Sequence, residues 1–133
     1  MSFRWLNRRA LLLLHGESLA LHGGAAGLRD PGLLDSAPAR PENLAAYGAP
    51  DVFDCAAAYA FGLARNHPFV DGNKRAAFLA AGLFLRLNGQ RLAASQADAT
   101  HTVLALAAGD LPEADFAAWL RSNAAPLNPD NTP

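Results

Sequence analysis

The stretch Asn66-His67-Pro68-Phe69-Val70-Asp71-Gly72-Asn73-Lys74-Arg75 divides two strongly apolar runs of a 133-residue chain. Before it, Val52, Phe53, Ala56, Tyr59, Ala60 and Leu63 recur at helical spacing behind Asp51, a helix-capping residue type. After it, the run from Ala76 to Leu85 is apolar on almost every side until Asn88-Gly89 stops it. A residue before proline is pushed out of helical geometry, so the first helix ends at Asn66-His67-Pro68 and His67 falls on a turn. The chain re-enters helix near Asn73 and continues to Leu87. This second helix is the candidate buried centre of the fold.

Four further helices are predicted around this pair. Asn7 caps one that runs to about Leu21 and ends at Gly23-Gly24. Asp30-Pro31, a cap followed by proline at the first helical position, opens a short helix to about Ala39. Pro38 and Pro41 bracket its end, and residues 41–50 read as a loop. Ser95 with Asp98 resembles a capping box for a helix ending at Gly109. Pro112 starts the last, which turns Phe116, Trp119 and Leu120 inward. The expected fold class is therefore all-α, about six helices in one domain over residues 1–123. The segment 124–133, rich in proline, asparagine and aspartate, reads as a loose tail.

Composition agrees with packed helices. Hydrophobic residues make up 51%, much of it alanine and leucine, while isoleucine is absent. A domain of this length buries roughly 65–70% of its unfolded surface and holds a core without metals or disulfides. Cys55 stands alone, so no internal disulfide forms, and a small buried thiol in a reducing cytoplasm is expected. A net charge of -1 gives no case for direct binding of nucleic acid by this chain alone. The apolar run Ala10 to Leu14 is too short to cross a membrane.

The central turn concentrates chemistry. It holds an imidazole, a carboxylate, a glycine, an amide and two cations, and it leads into a helix N-terminus. Free N–H groups and the helix dipole make that end an anion site. Gly72 allows close backbone approach to a ligand. Asn73 caps the helix or holds a phosphate oxygen. Lys74 and Arg75 bring positive charge to a helix end where cations are otherwise unfavourable, which itself points to an anion. Asp71 has the wrong sign for a phosphate unless Mg2+ lies between them. His67 has the pKa of a general base near neutral pH. Phe69 anchors the loop in the core. Of 11 basic residues only Lys74 is lysine, which implies that this position needs a compact ammonium rather than a planar fork.

His67-Pro-Phe69-Val-Asp71-Gly72-Asn73-Lys74-Arg75 resembles the H-x-F-x-[DE]-[GA]-N-x-R motif of the Fic/Doc superfamily. A second stretch, from His22-Gly23-Gly24 through Gly27-Leu28-Arg29-Asp30 to Arg40-Pro41, is similar to the corresponding part of death-on-curing (Doc) toxins. The resemblance implies a compact Fic/Doc-like bundle, with a small flap near Arg40 to Tyr47 that docks a target as an added strand. Fic enzymes that transfer AMP have glycine where this chain has Lys74 and a second arginine where it has Phe78. The Asn-Lys-Arg version is that of Doc toxins, which bind ATP in the reverse sense and phosphorylate a threonine of elongation factor Tu.

By that resemblance, His67, Asp71, Lys74 and Arg75 are the catalytic candidates. Phe69, Gly72, Asn73, Lys74 and Arg75 are the candidates for contacting ATP, and Asp71 for holding Mg2+. The implied partners are an elongation factor Tu-like substrate and a cognate Phd-like antitoxin. Some Fic proteins inhibit themselves through a serine or threonine four residues before a glutamate. Here Leu13, Pro38 and Gly109 precede Glu17, Glu42 and Glu113, so that device is not expected. AMP transfer and a catalytically silent antitoxin-binding module remain as alternatives. A ribonuclease is disfavoured because no second acid–base histidine is near His67 in sequence.

The remaining candidates read as structural. His15 and His22 share a helix face but lack metal-ligand spacing, so packing is expected, with shaping of the loop near the active site by His22-Gly23-Gly24 as the alternative. Arg29-Asp30 reads as a pair orienting the first two helices. His101 reads as a surface residue, and Trp5 and Trp119 as packing anchors.

Overall fold

A computed structural model describes residues 2–127. The chain folds as α1 (Arg8–His22), α2 (Pro31–Tyr47), α3 (Val52–Ala64), α4 (Asn73–Leu87), β1 (Gln90–Leu92), α5 (Gln96–Ala108), α6 (Glu113–Ser122) and β2 (Ala124–Pro126). Capping residues start the helices as their chemistry requires. Asn7, Asp30 and Ser95 each accept a backbone N–H of the first turn, and Asp51 with Asp54 forms a reciprocal capping box.

The centre of the bundle is α3 rather than α4. Nine of its 13 residues are buried, against seven of 15 in α4. Alanines at 56, 57, 58, 60 and 64 let neighbouring helices approach from several sides. Gly62 lies against Ala37 of α2, where an added Cβ would stand 3.4 Å from the Ala37 Cα. By contrast, α4 leaves Lys74, Arg75 and Arg86 in solvent. Apolar composition alone did not separate the two, because small residues bury more completely than large ones in a crowded crossing.

The second helix is longer than predicted. It runs through Pro38 and Pro41 to Tyr47, so residues 41–47 are helix and not loop. Each internal proline removes a helical hydrogen bond. Burial of Leu34, Ala37 and Pro41 against the rest of the bundle outweighs that local cost. The same fact removes the flap expected near Arg40 to Tyr47, because those residues present no extended edge. Arg40 instead donates to Glu113 of α6 and lies over the Phe61 ring, 4.4 Å from its centroid.

A small antiparallel ribbon was also not predicted. Arg91 pairs with Ala125, in register with Gln90–Pro126 and Leu92–Ala124. Residues 124–126 are thus strand, where a loose tail was expected to begin; positions 128–133 lie outside the described residues. The N-terminal segment packs too. Trp5 stacks on Phe84, and the Tyr59 hydroxyl accepts the N–H of Leu6 at 2.8 Å while donating to its carbonyl. Trp119 packs on Phe116 and donates to Asp98. Among the described residues no helix is long and apolar enough to cross a membrane.

Candidate active site

The turn between α3 and α4 is held from three directions. From within, the Asn73 side chain closes on Phe69. Its Oδ1 accepts the Phe69 N–H at 2.9 Å and its Nδ2 donates to the Phe69 carbonyl at 3.0 Å. From α1, the buried His15 ring stacks flat on Phe69, with centroids 3.6 Å apart. His15 Nε2 donates to the Asp71 carbonyl at 2.7 Å, and since a carbonyl only accepts, that nitrogen carries the proton. From the α1–α2 connection, Leu28 bridges Phe69 in antiparallel fashion and the Val70 N–H donates to Gly27.

Arg29 completes the clasp. Its Nε donates to the His67 carbonyl and its Nη2 to the Asn66 carbonyl, each at 2.6 Å. Its companion Asp30 accepts the Leu33 N–H and caps α2, so the two do not form the predicted pair. His67 lies at φ 49°, in the left-handed region. A residue with a β-carbon pays roughly 1–3 kcal/mol to stay there and does so only where its surroundings over-determine it.

The α4 N-terminus is open towards solvent chemistry. Gly72 occupies the cap position at φ 77°, and no side chain caps the helix. The backbone N–H groups of Asn73, Lys74 and Arg75 belong to the first turn and have no partner within the helix. Gly72 N–H is taken by Asp71 Oδ1 at 2.8 Å, while Asp71 Oδ2 accepts the Ala25 N–H at 3.2 Å. Gly24 lies at φ 125°, and a β-carbon there would stand 2.9 Å from that Oδ2, so glycine is favoured at this position.

Asp71, Gly72, Asn73 and Lys74 border a cleft of about 540 Å³ that Arg29, Arg65 and His67 also line. A second cleft of about 480 Å³ shares His67 and Lys74 and is walled by His101, Leu104, Ala105, Ala108 and Asp110 of the α5 region. Loss of hydration holds the His67 pKa below its ordinary value, and the charges of Lys74 and Arg29 push it the same way. A neutral imidazole near neutral pH is the form that takes a proton.

The predicted residues therefore divide. His67, Asp71, Gly72 and Lys74 come together on the cleft. Phe69 and Asn73 also border it, but Phe69 is 1% exposed and stacked on His15, and the Asn73 amide is spent on Phe69. Both shape the loop. Arg75 is exposed on the first turn of α4 and lines neither cleft. Asp71 is a lone carboxylate: among the described residues no group of three or more metal-ligating side chains converges. One carboxylate fits Mg2+, which takes most of its ligands from substrate phosphates and water.

Sequence reasoning missed the grip of Arg29 on the turn and the place of Arg65 on the cleft; His15 packs, as expected, but its partner Phe69 was not foreseen. His15 sits four residues before Leu19, on the α1 face that meets the loop, and nothing in its own neighbourhood marks it. His101 is exposed, as expected, and it also lines the same cleft as His67, although 34 positions separate their numbers in the chain.

A helical bundle that presents a histidine, a carboxylate and a cation around an uncapped helix N-terminus has the residue types and the free N–H groups that suit an anion. Residues 5–85 match the family described as Fic/DOC. The chain is 36% identical over 119 residues to the protein named "Protein kinase doc" of Escherichia phage P1, which covers 89% of this chain and 94% of that protein. It is 53% identical over 75 residues to "Toxin Doc" of Mycolicibacterium smegmatis (strain ATCC 700084 / mc(2)155), a match spanning 54% of this chain and 57% of that protein. The chain belongs to the Fic/DOC family.

Proposed function

We propose that this protein is the toxin of a toxin–antitoxin system and acts as a protein kinase. It passes the γ-phosphoryl group of ATP to a hydroxyl of a protein, with an elongation factor Tu-like factor as the first acceptor to test, and so blocks translation. The observation that carries the reading is that His67 and Lys74 line one cleft at an uncapped helix N-terminus. The names of the two relatives support it.

In the proposed step the acceptor hydroxyl attacks the γ-phosphorus and its proton passes to His67. The bond from the γ-phosphorus to the bridging oxygen breaks, and ADP leaves with the electron pair. Lys74 and the free N–H groups of α4 neutralise charge on the moving group. Asp71 would hold Mg2+, which supplies further charge neutralisation when bound. Phe78, packed against the core, leaves no cation where AMP-transferring relatives carry a second arginine. That difference favours a single phosphoryl group over AMP as cargo. The cognate antitoxin, Phd-like in kind, is the proposed regulator, and action in the cytoplasm follows from such a target.

The test is incubation of the purified protein with ATP labelled at the γ- or the α-phosphate, magnesium and a bacterial lysate. Label from γ on an elongation-factor-sized band, lost with His67→Ala, is expected. Label from α alone overturns the kinase reading in favour of AMP transfer. No label from either overturns both and leaves a silent antitoxin-binding module or a ribonuclease built on His67 and His101.

A further inference from the structure

We propose that Arg29 is a positioning residue for His67, acting through the backbone of the turn rather than on the substrate. This rests on the reading of His67 as the transfer base. Arg29 grips the carbonyls of Asn66 and His67. The first belongs to the peptide plane before the His67 Cα and the second to the plane after it. A single rigid guanidinium that fixes both planes therefore fixes both backbone angles of His67. The backbone N–H groups of Arg29 and Asp30 extend the grip to the next carbonyl, Pro68, at 2.8 and 3.0 Å.

This clamp explains how a histidine is kept at φ 49° on a turn that solvent reaches. These carbonyls lie just beyond the end of α3, where a helix leaves acceptors unpaired. Their partner comes from a connection 37 or 38 positions away in the chain, so the fold, and not the turn itself, sets the pose of the base. A lysine keeps the charge at position 29 but presents one ammonium in place of a planar fork, and it does not hold two planes at once.

The experiment compares wild type, Arg29→Lys and Arg29→Gln in γ-phosphoryl transfer and in NMR spectra of the backbone. Both variants are expected to lose roughly 10²-fold in kcat, the scale of a small misplacement of a catalytic group, with KM for ATP nearly unchanged. In both, the Cα and Cβ shifts of His67 are expected to leave the positive-φ range. A raised KM for ATP with wild-type kcat would make Arg29 a nucleotide ligand and overturn the proposal. Full activity in Arg29→Lys, or unchanged His67 shifts, overturns it as well. Loss of folding in both variants makes Arg29 a residue of the fold and is equally fatal. Wild-type protein that transfers no label sinks the kinase reading alone, and the His67 shifts then decide the clamp.

Discussion

Replacing Asn73 by alanine tests whether this residue builds the loop or binds the ligand. Asn73 is 8% exposed, and Phe69 is 1% exposed. The substitution removes the partner of a buried N–H and of a buried carbonyl on the same residue. Each buried group left unpaired costs roughly 1–3 kcal/mol, so the pair is worth about 2–5 kcal/mol after allowance for water entering the gap. Against a total stability of about 5–15 kcal/mol that is a large fraction. The assay is equilibrium urea unfolding at neutral pH, with Lys74→Met as control. Lys74 is exposed and makes no ion pair among the described residues, so its loss should change stability by no more than about 0.5 kcal/mol while removing transfer. A cost below about 1 kcal/mol for Asn73→Ala, or a control as damaging as the test, would refute the assignment of Asn73 to architecture.

Four further outcomes are expected. The transfer rate should rise with pH through a midpoint below about 6.5, the ordinary histidine value, because burial, Lys74 and Arg29 all disfavour the charged imidazole. The same depression makes the contribution of His67 to stability full above that ordinary value and lost as pH falls through the folded value; His67→Gln should flatten this segment of a stability–pH curve. Gly24→Ala should cost roughly 1–3 kcal/mol and lower activity, since the new methyl meets Leu19 and the Asp71 carboxylate at 2.8 and 2.9 Å; thermal melting and the labelled-ATP assay read the two effects. Cys55 should resist thiol reagents in the native protein and react once unfolded, because burial pushes its thiol up to about 11; mass spectrometry before and after denaturation shows this.

The central loop could be read from sequence because its residues lie next to one another and their types carry the chemistry directly. Pro68 stops one helix, Gly72 frees the backbone, and a histidine, an aspartate and a lysine follow within a few positions. The helices before and after it were legible for the same reason, since caps such as Asp51 and a 3.6-residue period are local signals. Pro38 and Pro41 misled for the converse reason. Local preference against helix was overruled by packing on α3, which no local signal contains. The β1–β2 ribbon was invisible because three-residue strands have no period to detect, and their pairing joins residues 90–92 to 124–126.

What the sequence determined by itself is the existence of a polar turn between two apolar helices, with His67 and Lys74 in it. What only the tertiary structure decided is how that turn is held. His15 stacks beneath Phe69, Arg29 locks the planes on either side of His67, and Gly24 makes room for Asp71. Each of these contacts spans dozens of residues, and its partner is selected by how α1 and the α1–α2 connection pack against α4. Residue type and spacing encode which groups are available. The long-range hydrogen bonds that set their angles exist only once the bundle has closed.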